Sequence, residues 1–139
     1  MFHRAWAKLT FMYLLYVTRD ASSIDQLEEV LHLVDKKKIL VAVPGGYEAI
    51  HFLQNIGQGD AYPELIILTL QMPRLNGRDT LELLKTDDIY RLIPVIVFTS
   101  DESIEDRDYC YQLGAELISK PTREKEWMDA AKKICAACV

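Results

Sequence analysis

Six residues with chemical potential stand where predicted apolar strands give way to loops. Thr18 and Arg19 follow one run, Thr69 ends a second, Thr99 and Ser100 end a third, and Lys120 follows a fourth. In open α/β sheets that edge is where ligands and chemistry sit. Hydroxyls beside cationic side chains suit an oxyanion, held by charge-assisted hydrogen bonds. Thr69 as a nucleophile would need a base beside it, and none is evident in the chain. Thr18, Ser22 and Ser23 crowd a loop and helix start of the kind that holds a phosphate, which gives the alternative function class, a flavin- or anion-binding protein.

Other constellations carry less. Cys135 and Cys138 have CxxC spacing, but they lie at the end of the last predicted helix and no second ligand pair exists for zinc, so they read as two free thiols. His3, His32 and His51 are scattered, and Tyr109 and Tyr111 read as packing or surface residues.

The elements that position these residues alternate strand and helix. The run from Leu65 to Leu70 is apolar without alternation, as expected of a strand covered on both faces at the centre of a parallel sheet. Pro73 cannot extend a ladder and Asn76-Gly77 is a turn signal, so Thr69 is delivered to a tight loop. Met12 to Val17, Ile39 to Val43, Val95 to Thr99 and Glu116 to Ser119 are the other strands. The first helix is expected to take Ser23 as its N-cap, with Gln26 three positions on, and to run to about Val34. Ala49, Phe52, Leu53 and Ile56 mark a second helix, and Leu81 and Leu84 a short third. The fourth, Ser103 to Leu113, is crowded with acids and is expected to be the least stable. Gly114 ends it. Thr122 is expected to cap a last helix that buries Trp127, Ala131 and Ile134. Such alternation implies right-handed crossovers and helices on both faces of the sheet.

A chain of 139 residues, half of them hydrophobic, suits one domain with its own core. A net charge of −5 argues against nucleic acid or an acidic membrane surface as direct partner. Three cysteines, Cys110, Cys135 and Cys138, are too few for a disulfide framework and suggest a reducing, cytoplasmic setting. Arg4 and Lys8 before the apolar run Leu9 to Val17 have the outline of a signal peptide, but Thr18-Arg19-Asp20 offers no small-residue cleavage site. The expected organisation is a leader over 1–10 and a single domain over 11–139, with no output domain after it.

From about residue 11 to 137 the chain resembles the receiver domain of response regulators in two-component phosphorelay signalling. Met72-Pro73 with Asn76-Gly77, Thr99-Ser100 and Lys120-Pro121 match that family's motifs in order, and the loop before Pro63 with Asn-Gly-Arg is similar to the single-domain regulators that accompany phytochrome-type kinases. The resemblance implies a flavodoxin-like (βα)5 doubly wound parallel sheet with strand order 2-1-3-4-5, and a cis Lys120-Pro121 bond. It also implies that Thr18 and Arg19 stand at the acidic pair and Thr69 at the phosphate-accepting Asp, with Thr99 and Lys120 retained and Leu117 at the usually aromatic switch position. Those family carboxylates hold Mg²⁺ through oxygen ligands. Arg19 puts a positive charge where the cation would sit, and using Asp20 instead would mismatch the apolar pattern of the first strand. Arg19, Thr69, Thr99 and Lys120 then converge as an anion-binding pocket, with Asp20 and Asp101 as the acids that could neutralise it. The expectation is a degenerate receiver, not an enzyme, with no cofactor and no metal. Its expected partner is a sensor histidine kinase or other signalling protein, with homodimerisation over the acidic fourth helix and the last helix.

Overall fold

A computed structural model describes residues 13–56, 60–71, 76–100 and 104–138. Among these the elements are β1 (Tyr13–Val17), α1 (Ala21–Val34), β2 (Ile39–Val43), α2 (Gly46–Gln54), β3 (Leu65–Thr69), α3 (Gly77–Thr86), a 3-10 turn (Tyr90–Leu92), β4 (Val95–Thr99), α4 (Ile104–Gln112), β5 (Glu116–Ser119) and α5 (Glu124–Ala137). The five strands pair in parallel in the order β2-β1-β3-β4-β5, as expected. The leader, Met12, the Met72-Pro73 motif, Asp101 and Ser103 lie outside the described residues.

Period-two alternation along each central strand divides the core. Leu15, Val17, Ile66, Leu68, Val95 and Val97 face α2, α3 and α4, where Leu53, Leu81, Leu84 and Cys110 meet them. Leu14, Tyr16, Leu65, Ile67, Ile96 and Phe98 face α1 and α5, against Leu27, Leu31, Trp127 and Ile134. β3 is buried on both sides through Leu68, which is why its sequence shows no polar alternation. Burying each such Leu or Ile contributes about 1.5–3 kcal/mol. At the amino-terminal edge, Lys38 and Glu64 form an ion pair at 2.8 Å, with side chains only 9% and 15% exposed. Burial pulls the Lys38 ammonium down, but the Glu64 hydrogen bond and neighbouring charges outweigh it and leave the group above its ordinary value.

Three local expectations are corrected. Asp20, not Ser23, caps α1: its Oδ1 accepts from the backbone N–H of Ser22 at 3.1 Å and of Ser23 at 3.3 Å. A carboxylate reaching two orphan N–H groups outcompetes a hydroxyl, and Ser23 instead turns inward to bond the Tyr16 phenol. Thr122 does not cap α5; Arg123 holds that position, and Glu126 reaches back to accept from Thr122 N, Thr122 Oγ1 and Arg123 N. The Lys120-Pro121 bond is trans. An X–Pro bond is only weakly biased between its isomers, so local sequence does not decide it.

Helix α4 lacks an apolar stripe, and Cys110 is its one fully buried hydrophobic residue among those described. α3 holds it by polar means. The Arg78 guanidinium lies 4.2 Å from the Tyr109 ring centroid and 3.6 Å from Asp106, and the Tyr109 hydroxyl donates to Glu82 at 3.1 Å. Gly114, with φ of 80°, ends α4 in the left-handed region.

Candidate functional site

The carboxyl ends of β1, β3, β4 and β5 bring the expected residues to one edge of the sheet. Register places Thr69 opposite Phe98 and Thr99 opposite Ser119, and Lys120 N donates to Thr99 O at 2.7 Å. The end of β3 meets the start of α3 in a near contact that only glycine permits. Gly77 N donates to Leu70 O at 3.0 Å, and a Cβ on Gly77 would come within 2.5 Å of the Leu70 backbone. Asn76 caps α3, its side chain accepting from Asp79 N at 2.9 Å.

At that edge the side chains sort into three groups. Lys120 Nζ donates to Asp20 Oδ2 at 2.8 Å, while Asp20 Oδ1 caps α1, so both carboxylate oxygens are engaged. The hydrogen bond from Lys120, followed by that from Ser22, holds the Asp20 carboxyl down at about 2. Gln71 spans β3 and β4: its Nε2 donates to Thr99 Oγ1 at 3.0 Å, and its Oε1 accepts from Ser100 N at 3.3 Å. The backbone N–H of Ser100 can only donate, which fixes the carboxamide's orientation. The third group faces α1, where the Tyr16 phenol bonds Ser23 and also feels the Thr18 and Thr69 hydroxyls. Burial raises the Tyr16 phenol despite those contacts. Thr69 Oγ1 is buried and makes no hydrogen bond, although it lies near enough to the Tyr16 phenol to act on it.

Sequence patterns locate the strand ends but not these partners. Arg19 is exposed, whereas Thr18 and Thr99 are buried. Leu117 is buried in β5 against the α2, α3 and α4 side. Gln71 is missing from the residues that sequence alone suggests; its place two residues beyond Thr69 is the available signal. Among the described residues a divalent metal finds no site: no group of three His, Cys, Asp or Glu side chains could hold an ion, and the Asp20 carboxylate is spent on Lys120 and α1. Nor does a phosphate fit the start of α1, because Asp20 already takes the Ser22 and Ser23 N–H groups. Burial pushes the Cys135 thiol up and the Cys138 thiol to about 11, so neither is an activated nucleophile.

A parallel five-stranded sheet in this order, with its polar residues at the carboxyl edge, is the doubly wound architecture that receiver domains share with flavodoxins. A family profile described as the response regulator receiver domain matches residues 15–132, and the chain belongs to that family. It is 32% identical over 89 residues to response regulator Rcp1 of a Synechocystis species, covering 63% of this chain and 60% of Rcp1. It is 30% identical over 74 residues to protein PilG of Pseudomonas aeruginosa, covering 52% and 55%. The matched stretches thus span less than two thirds of either relative. The structure of the Mn²⁺-bound form of Rcp1 superposes with a TM-score of 0.78 at 26% identity, covering 88% of this chain and 91% of that one. The phosphorylated cyanobacterial phytochrome response regulator RcpA superposes with a TM-score of 0.79 at 26% identity, covering 90% and 91%. The chain is therefore a receiver domain of two-component signalling. No helix among the described residues is long and apolar enough to cross a membrane.

Proposed function

We propose that this receiver does not undergo Mg²⁺-dependent aspartyl phosphorylation and acts through protein contacts alone. The observation that carries the reading is the pair Lys120–Asp20 at 2.8 Å beside a threonine at the acceptor position. The cation that an acceptor carboxylate and its phosphoryl group would need is already neutralised, and no carboxylate cluster stands at Thr18, Arg19 and Thr69 to hold a metal. The domain is read as cytoplasmic and non-enzymatic, with a sensor histidine kinase or another signalling protein as partner.

The contact surface we assign lies over α4, β5 and α5, around an open depression of about 1260 Å³ lined by Arg107, Tyr111, Ile118, Asp129 and Lys133. Tyr111 there is 81% exposed. With no phosphorylation step to control it, association is constitutive. Asp106 is engaged with Arg78, so charge reversal at exposed Asp108 is the cleaner probe of this face. Loss of self-association or of kinase binding in Asp108→Lys, measured by sedimentation and by titration with the kinase, is expected. A strictly monomeric protein that binds no kinase, with or without the substitution, overturns the contact model.

The phosphorylation reading is tested with acetyl phosphate and Mg²⁺, read by intact-protein mass spectrometry. The unmutated chain and Thr69→Asp are expected to gain no phosphate, because the single change leaves Arg19 in place. The triple variant Thr18→Glu, Arg19→Asp, Thr69→Asp rebuilds the carboxylates and is expected to gain one, a strongly non-additive result. Phosphate on the unmutated chain, or none on a folded triple variant, overturns the assignment.

A further inference from the structure

The donors at the carboxyl edge of β4 and β5 form a set: the Ser100 N–H, the Thr99 hydroxyl and the Lys120 ammonium, with Lys120 N bonded to Thr99 O. A hydroxyl, a backbone N–H and an ammonium on adjacent strand ends are the complement of a tetrahedral oxyanion. Here each already meets a group of the same chain. Gln71 offers its carboxamide oxygen to the Ser100 N–H and its NH₂ to Thr99 Oγ1, and Asp20 offers a carboxylate oxygen to Lys120. Both occupants come from the same side of the sheet, Gln71 from the end of β3 and Asp20 from the end of the neighbouring β1.

We propose that Gln71 and Asp20 are tethered internal ligands that occupy a latent oxyanion site, holding the ends of β3, β4 and β5 and the start of α1 in one arrangement. The inference rests on the reading of this domain as a receiver that takes no covalent phosphate, and says what fills the site in its stead. A carboxamide suits Thr99 and Ser100 because it presents a donor to the hydroxyl oxygen and an acceptor to the N–H at once. A carboxylate suits Lys120 because it cancels the charge that would otherwise draw an anion in. Being part of the chain, both occupants are present at high effective concentration, so a free anion competes only for the small fraction of molecules in which they have swung away. The arrangement of these strand ends is thereby insensitive to cellular phosphate and phosphodonors, as a constitutive binding partner requires.

The test uses the isotopically labelled full chain and inorganic phosphate at constant ionic strength, following the Ser100 amide by NMR. The unmutated protein is expected to show no saturable shift through millimolar phosphate. Gln71→Ala with Asp20→Asn frees the Ser100 N–H and Lys120 while an asparagine still caps α1, and is expected to bind with an apparent affinity at least about tenfold higher, the open fraction no longer limiting it. Gln71→Glu keeps an acceptor on Ser100 N and is expected to exclude phosphate as the parent does. Equal affinity in the parent and the double variant overturns the proposal, as does no binding by a double variant whose amide spectrum shows it folded. A parent that gains covalent phosphate from acetyl phosphate but shows these titrations refutes the function reading and leaves the occupancy of the site intact; the converse pattern refutes only the occupancy.

Discussion

Substitution of Asp20 by asparagine separates the two tasks of one carboxylate. Oδ1 accepts from Ser22 N and Ser23 N as the cap of α1, and Oδ2 takes Lys120 at 2.8 Å. Asparagine caps about as well as aspartate, so Asp20→Asn removes chiefly the ion pair, whereas Asp20→Ala removes both. A carboxyl shifted from 3.8 to about 2 would at full strength represent about 2.5 kcal/mol. The Asp20 and Lys120 side chains are 43% and 23% exposed, so solvent screening reduces the pair to about 0.5–1 kcal/mol. Urea denaturation at pH 7 is therefore expected to show a loss of about 1 kcal/mol for Asp20→Asn and about 2 for Asp20→Ala. The double variant Asp20→Asn, Lys120→Met should cost little more than either single change, a coupling of about 0.5–1 kcal/mol that falls by roughly half in 1 M salt. Because the folded-state value is depressed, the native protein binds fewer protons than the unfolded chain between these two values. The contribution is thus whole above about pH 4 and disappears as pH falls through about 2. A stability gap between the parent and Lys120→Met that is the same at pH 6 and pH 2.5 would refute the reasoning, as would a coupling energy of zero.

Other perturbations test the supports of the site. Glu64→Ala strands the Lys38 ammonium in a setting where it is only 9% exposed and should cost about 3 kcal/mol, while Lys38→Met with Glu64→Leu should recover most of that loss in the same denaturation assay. Gly77→Ala drives a methyl into the Leu70 backbone and should cost about 1–3 kcal/mol, with the Leu70 and Gly77 amide signals moving most. Tyr16→Phe removes the buried partner of Ser23 and should cost about 1–2 kcal/mol; an unchanged melting temperature would show that the Ser23 and Thr69 hydroxyls satisfy each other.

Legibility differed with the range of the forces involved. The central strands were readable because burial on both faces leaves no room for polar residues, so Leu65 to Leu68 and Val95 to Phe98 carry their environment in their composition. The strand ends were readable for the same reason, since Thr69, Thr99 and Lys120 are where the apolar runs stop. Cap identity was less so: Asp20 and Ser23 are both good capping residues three positions apart, and only the approach of the Tyr16 phenol and the Lys120 ammonium from other elements assigns one to the cap and the other to the core.

By itself the sequence determined the alternation of strand and helix and the residues at the carboxyl edge of the sheet, because these follow from residue type and local periodicity. Which side chains pair across the sheet edge was decided only by tertiary structure. Lys120 meets Asp20 across 100 positions of chain, and Gln71 meets Thr99 across 28. Such contacts depend on a few ångströms of side-chain reach between strand ends, and no pattern along the chain encodes that.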